Sequence, residues 1–227
     1  MDFDPERYAS FFRRDGYFIA EDILGFDEIE DLRRAVAELP NREEVRRKRS
    51  VYGVRNLLEI CPAVQELAAR TEIRKFATAV IGRAAFAVRA IFFDKVADAN
   101  WSLFWHQDNV IAVKHRIETP GFLGWSQKSG VWQVQPPAEV LAGMVAVRVH
   151  LDDCGSDNGP LRVLPGSHRS GWLDDELDQW KASVLEAVGH RRVIHIEYAA
   201  NELPGELEWN NRILPEDERT HAANFTC

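Results

Sequence analysis

The chain has 227 residues, of which 45% are hydrophobic, and its 28 Lys and Arg against 36 Asp and Glu give a net charge of −8. This length and apolar content suit one domain with a substantial core, so we expect residues 1–227 to form a single domain. The acidic balance argues against non-specific binding to nucleic acid or to an anionic membrane, because both need clustered Lys and Arg.

Targeting signals are not evident either. No apolar run approaches the roughly 18 residues of a transmembrane helix, and the charged N-terminus lacks the apolar region of a secretory signal. The three cysteines (Cys61, Cys154 and Cys227) are scattered and form no metal-binding pair motif. We therefore predict a cytoplasmic protein, monomeric by default, with no nucleic-acid or membrane partner.

Helical patterns dominate residues 1–83. Apolar residues recur at helical spacing, with Asp27 as a capping residue, Pro40 as a stop and Gly82 as a C-terminal end. The predicted helices cover 4–14, 27–39, 63–69 and 72–81. Residues 16–20 form a candidate strand between the first two helices.

Strand patterns dominate residues 84–200. Phe86, Val88, Ala90 and Phe92 alternate with other residues, which predicts one strand with these four side chains on one face. Further strands are predicted at 145–151, 161–164 and 193–199. The long interval 112–142 is predicted to be an irregular lid whose apolar walls include Phe122, Trp125 and Trp132. Residues 201–227 read as a polar tail that Trp209 could anchor.

Together these elements predict a mainly β fold, a sandwich or barrel backed by N-terminal helices. A first candidate for chemistry lies within it, at Trp105-His106-Gln107-Asp108. If this stretch is extended, His106 and Asp108 project to the same side and could chelate a divalent metal. Two histidines and one carboxylate on one face are typical of non-haem Fe(II) oxygenases, but a His-x-Asp pair alone is more often a capped turn or a hydrogen-bonded core histidine.

A second candidate is the arginine pair that begins the last strand. A guanidinium pointing into a barrel would match a carboxylate, whereas a solvated strand end is the ordinary alternative. Alternation places Arg191 on the face of Val193, His195 and Glu197, and Arg192 on the opposite face.

These features occur together, in order, with a Pro-Gly-Ser-His turn, and in that combination the sequence resembles the phytanoyl-CoA dioxygenase family of Fe(II)/2-oxoglutarate oxygenases. The resemblance covers roughly residues 5–200. The matching stretches are Phe11 to Ile19, Glu28 to Arg33, Phe93 to Lys95, Trp105 to Asp108, Asp157 to Gly171 and His190 to Tyr198.

The resemblance implies a double-stranded β-helix, or jelly roll, backed by helices. By this resemblance, His106 and Asp108 would be two iron ligands. Arg191 would pair with the far carboxylate of 2-oxoglutarate, with Arg192 as the reserve candidate. Lys95 would help to hold that cosubstrate. His168, in the turn, is expected to be structural. The cofactors implied are Fe(II), 2-oxoglutarate and O₂.

The sequence departs from the family pattern at the third metal ligand. Family members carry a histidine about ten residues before the arginine, but no histidine lies between Arg169 and Gly189. The interval around 172–190 is acidic and helix-like, as if roughly two dozen residues were deleted and the barrel were incomplete there. The third ligand is therefore unknown. His168, His190 and His195 are poor replacements, and His195 lies about 13 Å along the strand from Arg191.

The function implied is a dioxygenase that hydroxylates a small organic molecule while decarboxylating 2-oxoglutarate to succinate. The alternative is a catalytically impaired member, a jelly roll that binds a ligand or partner without turnover. A genuine deletion favours the alternative, whereas the His-x-Asp pair and the arginine favour the enzyme. A third possibility is that the sequence is a variant or a gene-model artefact of an active enzyme, in which case the missing histidine carries no functional meaning.

Overall fold

The computed structural model describes residues 3–96, 99–101, 103–156, 158–171, 181–183 and 189–215. Six α-helices lie among these residues: α1 (Pro5–Asp15), α2 (Phe26–Ala37), α3 (Leu57–Ile60), α4 (Pro62–Ala69), α5 (Thr71–Ile81) and α6 (Ala138–Ala142). The described strands are β1 (Val45–Arg47), β2 (Val51–Val54), β3 (Phe86–Lys95), β4 (Leu103–Phe104), β5 (Ile111–Val113), β6 (Leu123–Lys128), β7 (Val131–Gln135), β8 (Met144–His150), β9 (Lys181–Ser183) and β10 (Arg191–Ala199). No described helix is long and apolar enough to cross a membrane.

A five-stranded sheet with the order β1-β2-β3-β10-β8 forms the centre of the structure. β10 pairs antiparallel with β3 on one side and with β8 on the other, so its side chains have neighbours on both edges. The β1-β2 hairpin extends this sheet from within the part of the sequence that was predicted to be mostly helical. A bulge lies between Glu197 and Tyr198, where the β3 partner changes from Arg89 to Ala87.

The N-terminal helices pack on one face of this sheet, which we call the helical face. Ile194, Ile196 and Tyr198 of β10 are fully buried there and share one apolar cluster with residues from α2, α3, α4 and α5. The hydroxyl of Tyr198 donates to the carbonyl of Ala68 at 3.0 Å, which satisfies the polar atom inside the cluster. The helices predicted at 4–14, 27–39, 63–69 and 72–81 correspond to α1, α2, α4 and α5, whereas the short helix α3 was not predicted.

The opposite face, which we call the pocket face, packs on a second sheet with the order β5-β7-β6. A second apolar cluster joins the two sheets; its most buried members include Ile111, Val113, Val134, Ala199 and Trp209. The prediction of an irregular lid at 112–142 is therefore wrong. This interval begins within β5 and contains β6, β7 and α6. Phe122 is 4% exposed within the second cluster, so its ring is part of the core and not a free wall.

Two other strand predictions are also wrong. Residues 16–20 and 161–164 form no ladder with another strand among the described residues. Short apolar stretches of this kind satisfy the strand pattern locally, but a strand also needs a neighbouring edge with free backbone groups. The acidic interval predicted to be helix-like falls mostly outside the described residues, and its described part, β9, is a strand paired with β4.

The Pro-Gly-Ser-His turn packs against the end of α1. Gly16 ends α1 with φ +82°, and the amide of Gly166 donates to the carbonyl of Asp15 at 2.8 Å. The imidazole of His168 lies over Gly16 so closely that a Cβ there would be 2.4 Å from its Nδ1. His168 also contacts the ring of Phe12, with centroids 5.8 Å apart. The expectation that His168 is structural agrees with this position.

Candidate active site

His106 and Asp108 lie in the irregular segment between β4 and β5, beside the pocket face of the central sheet. The two residues belong to no strand, but their side chains still lie together, with 3.6 Å between His106 Nε2 and Asp108 Oδ1. Both are accessible to solvent, at 45% and 61% side-chain exposure. The amide side chain of Gln107 donates to the carbonyl of Gly171 at 2.7 Å, which ties the segment to the loop beyond the Pro-Gly-Ser-His turn.

The surroundings of Asp108 favour its ionised form. The neighbouring His106 imidazole makes the largest contribution, and the nearby His195 and Arg89 add to it. The pKa of Asp108 therefore falls to about 2, although the surrounding protein partly desolvates this accessible carboxylate and opposes the shift. An ionised carboxylate beside an imidazole is a suitable pair of ligands for a divalent metal ion.

His195 of β10 is the third titratable side chain beside Asp108. Its Nε2 lies 4.0 Å from Asp108 Oδ2 and 3.5 Å from Glu197 Oε1, and the side chain is 6% exposed. Arg148 of β8 approaches the other ring nitrogen, with 3.2 Å between its guanidinium and His195 Nδ1. A guanidinium can only donate, so Nδ1 must accept, and a neutral His195 then carries its proton on Nε2.

This tautomer bears on metal binding. The nitrogen that faces Asp108 is protonated, and a protonated imidazole nitrogen cannot donate a lone pair to a metal. In this arrangement His195 is suited to orient the carboxylate of Asp108 rather than to act as a ligand. Across the described part of the chain, no group of three or more His, Cys, Asp or Glu side chains is arranged to hold a metal ion.

Arg191 lies farther along the same face of β10, and it is 6% exposed. Its Nε and Nη1 atoms are buried without a hydrogen-bond partner. Burial lowers the pKa of Arg191, and only Cys154 and Asp94 oppose the effect. The thiol of Cys154 is a weak acceptor, so the guanidinium retains donors that an incoming carboxylate can accept. Lys95, the register partner of Arg191 on β3, is 2% exposed.

Arg192 has a different environment. Its backbone amide and guanidinium bond the carboxylate of Asp152 at 2.6–2.9 Å, and Arg33 of α2 reaches the same carboxylate at 2.8 Å. Burial acts to raise the pKa of Asp152, but the bonds from Arg192 and the charge of Arg33 outweigh it and lower the pKa. Arg192 is therefore committed to a structural ion pair on the helical side, as the alternation along β10 indicated.

The other histidines considered as replacement ligands lie elsewhere. His168 packs on α1, and His190 Nδ1 bonds the buried carboxylate of Asp94 at 2.6 Å. Of these three histidines, His195 is the one that faces Asp108. Arg148 and Arg89 were not predicted as site residues, although charged residues in otherwise apolar strands were a visible signal for both. Arg89 pairs with Glu197 at 2.8 Å on the pocket face.

Comparison with known proteins adds to this geometry. The sequence profile described as phytanoyl-CoA dioxygenase (PhyH) matches residues 12–198, which is most of the chain. The chain belongs to the phytanoyl-CoA dioxygenase family. The family resemblance inferred from the sequence motifs is therefore confirmed.

Two of these relatives are named ectoine dioxygenase. The protein from Sphingopyxis alaskensis is 25% identical over 173 residues, which are 72% of this chain and 50% of that protein. The protein from Nocardia farcinica is 27% identical over 170 residues, 71% of this chain and 50% of that protein. The chain thus spans about half the length of the curated relatives it matches.

Solved structures share the fold. The crystal structure of EctD from S. alaskensis with bound Fe has a TM-score of 0.62 at 20% identity, covering 89% of this chain and 80% of that one. HygX from Streptomyces hygroscopicus, solved with nickel and 2-oxoglutarate bound, has a TM-score of 0.57 at 13% identity, covering 88% and 91%. The predicted jelly roll backed by helices is confirmed.

His106 and Asp108 fit two positions of a metal site. Two donor atoms that bind one ion at about 2.0–2.2 Å lie roughly 3 Å from each other. The 3.6 Å between His106 Nε2 and Asp108 Oδ1 therefore needs only a small side-chain movement. Arg191 fits the carboxylate of a cosubstrate because its buried donors are free. No third metal ligand is found among the described residues, and the segments at 172–180 and 184–188 lie outside them.

Proposed function

We propose that this chain is an Fe(II)/2-oxoglutarate-dependent dioxygenase that hydroxylates a small organic molecule and decarboxylates 2-oxoglutarate to succinate. The observation that carries the proposal is Arg191, a nearly buried guanidinium with unpartnered donors, on the strand face that also brings His195 to Asp108. A buried arginine without a carboxylate partner is costly, and a dicarboxylate cosubstrate would remove that cost.

Each residue has a separate task in this proposal. His106 and Asp108 hold the iron, which when bound supplies the activation of O₂. Arg191 binds the far carboxylate of 2-oxoglutarate through its planar guanidinium, and Lys95 adds positive charge beside it. His195 orients the carboxylate of Asp108, and the lowered pKa of Asp108 favours the ionised form that a metal ligand needs.

The second candidate is a family member that binds 2-oxoglutarate or a similar anion without turnover. One observation favours it: the described residues contain no third metal ligand, and Arg148 keeps the nearest histidine in the tautomer that cannot bind. A site with two protein ligands would bind iron more weakly than a complete triad, because each ligand removed lowers the affinity of the site.

An anaerobic titration of Fe(II) in the presence of 2-oxoglutarate tests the proposal. We expect the weak visible charge-transfer band of the iron–2-oxoglutarate chelate in the wild-type protein. His106→Ala should remove the band by removing a ligand, and Arg191→Gln should shift its appearance to at least tenfold higher 2-oxoglutarate. Arg34→Gln on the exposed side of α2 is the matched control and should leave the titration unchanged.

The outcomes separate the two candidates. A band followed by succinate formation on admission of O₂ supports the dioxygenase. Binding of 2-oxoglutarate that depends on Arg191 but needs no iron supports the inactive binder. If 2-oxoglutarate does not bind the wild-type protein at millimolar concentration, both candidates fail.

A further inference from the structure

A second arginine, Arg148, lies on the same pocket face as Arg191. Arg148 lies on β8, where the antiparallel register places it opposite His195 of β10. The contact between its guanidinium and His195 Nδ1 fixes the direction of the side chain toward the pocket. The next residue on the same face of β8 is His150, which is opposite Val193 and exposed at the edge of the pocket.

Both guanidiniums are short of partners. Arg191 lacks partners at two buried nitrogens, and Arg148 lacks one at its buried Nε. Burial is the largest cause of the lowered pKa of Arg148 and of His150, and the charge of Arg191 lowers both further. Arg148 also lowers the pKa of His150. This face therefore holds two cations and a histidine whose neutral form is favoured.

The acids near these arginines have other partners in the described part of the chain. Glu197 pairs with Arg89, Asp152 with Arg192 and Arg33, and Asp94 with His190. Asp108 attracts Arg148 at longer range, but its carboxylate lies beside His106 and His195. In the proposed function, one carboxylate of the dicarboxylate cosubstrate would pair with Arg191 and the other would be used at the metal, so the cosubstrate would leave Arg148 without a counter-charge.

We propose that Arg148 forms a second anion subsite, and that the substrate hydroxylated in this pocket carries a carboxylate that pairs with it. This inference rests on the proposed function only where it calls the bound molecule a substrate. The anion subsite itself is a property of the protein without iron or cosubstrate. A guanidinium is the natural partner of a carboxylate because its parallel N–H donors match the two oxygens. His150 at the pocket edge adds a neutral donor or acceptor without adding charge.

Ligand-observed NMR with acetate and benzoate as probes tests the subsite. The measurement is made in the presence of saturating 2-oxoglutarate, so that the cosubstrate position is filled. We expect the wild-type protein and Arg34→Gln to bind a monocarboxylate, and Arg148→Gln to weaken that binding at least tenfold. Benzamide, the uncharged analogue of benzoate, should bind none of the three proteins.

A calorimetric titration of 2-oxoglutarate assigns the two arginines. Arg191→Gln should weaken 2-oxoglutarate at least tenfold, whereas Arg148→Gln should change its affinity less than threefold. Arg148→Lys keeps the charge but not the paired donors, so it should lose most of the benzoate binding. This variant should also fold even if Arg148→Gln does not. An equal loss of 2-oxoglutarate in the Arg148 and Arg191 variants would overturn the inference and make Arg148 part of the cosubstrate site.

Two further results separate this inference from the proposed function. If neither acetate nor benzoate binds the wild-type protein, or if binding is unchanged in both Arg148 variants, the second subsite is wrong and the dioxygenase proposal stands on its own test. If 2-oxoglutarate fails to bind while benzoate binding still depends on Arg148, the anion subsite is supported and the dioxygenase proposal fails.

Discussion

Adjacent arginines at the start of β10 have opposite environments, and the reason is the alternation of side chains along a strand. Arg192 faces the helical side and bonds Asp152, while Arg191 faces the pocket with free donors. Sequence reasoning could assign the two faces because Ile194, Ile196 and Tyr198 form an unbroken apolar row. It could not find the partner of Arg192, because Asp152 approaches from a different strand end 40 residues away.

The ionisation of Asp108 is the first testable consequence at this scale. We expect an NMR titration of the metal-free protein to give Asp108 a pKa of about 2. His106→Ala should raise that pKa toward the ordinary value of 3.8, because the His106 imidazole is the largest cause that favours the charged carboxylate. A pKa that stays near 2 in His106→Ala would mean that His195 and Arg89 dominate instead.

At the scale of elements, Asp152 joins three parts of the fold. Its carboxylate, 11% exposed, receives Arg33 from α2 and Arg192 from β10 at the end of β8. We expect Asp152→Asn to lower the free energy of unfolding by about 2 kcal/mol at neutral pH, because both partners lose a charged acceptor. Urea unfolding at several pH values measures the change.

The pH dependence of this prediction has a definite sign. The pKa of Asp152 is lower in the folded protein than its ordinary value of 3.8, so its stabilisation is fully present above pH 3.8 and is lost as the pH falls through the lower folded value. The difference between wild type and Asp152→Asn should therefore shrink only below pH 3.8. A difference that disappears already near pH 6 would contradict the role of the carboxylate.

The contact between α1 and the Pro-Gly-Ser-His turn gives a second prediction for elements. Gly16 and Gly82 both end helices, with φ of +82° and +79°, but only Gly16 lies under another side chain, that of His168. Gly82→Ala should cost about 1 kcal/mol from backbone strain alone. Gly16→Ala should cost at least twice that, measured by thermal unfolding, because its Cβ would collide with the imidazole.

A double variant checks the cause. Adding His168→Ala to Gly16→Ala removes the collision. In the His168→Ala background, Gly16→Ala should therefore lower the free energy of unfolding only as much as Gly82→Ala does in the wild type. Equal costs for Gly16→Ala and Gly82→Ala would show that the turn moves away freely.

At the scale of the whole molecule, the helices α1, α2, α4 and α5 and the long strands β3, β8 and β10 could be predicted, because their apolar periodicity extends over many residues. The sheet formed by β5, β6 and β7 could not. β5 is buried but only three residues long, and β6 has the burial of a surface strand. Their pairing depends on contacts between distant segments, which a local pattern does not contain.

Trp209 shows how the segment after β10 contributes to the whole. It is 4% exposed in the second apolar cluster, and its indole donates to the carbonyl of Asn201 at 2.9 Å. We expect Trp209→Ala to lower the free energy of unfolding by about 3–5 kcal/mol, as for other large core truncations. Tyr17→Ala, at an exposed aromatic position, is the control and should change it by less than about 0.5 kcal/mol. A small effect at Trp209 would mean that the segment beyond β10 is dispensable for the core.

The bulge opposite Glu197 divides β3 into two stretches of opposite phase. Phe86 and Val88 belong to the second cluster, whereas Ala90 and Phe92 belong to the first, so the four residues that alternate in the sequence do not share a face. The extra residue is Val88, because Glu197 pairs with Arg89 and Tyr198 pairs with Ala87. Removing Val88 would restore ordinary alternation, with Arg89 still on the pocket face and Ala87 still on the helical face. Removing Ile91 instead would turn one of the two stretches over, because no bulge there absorbs the change in length. The bulge therefore marks the one place in β3 where the strand can lose a residue without exchanging its faces, and deletion of Val88 should be tolerated better than deletion of Ile91.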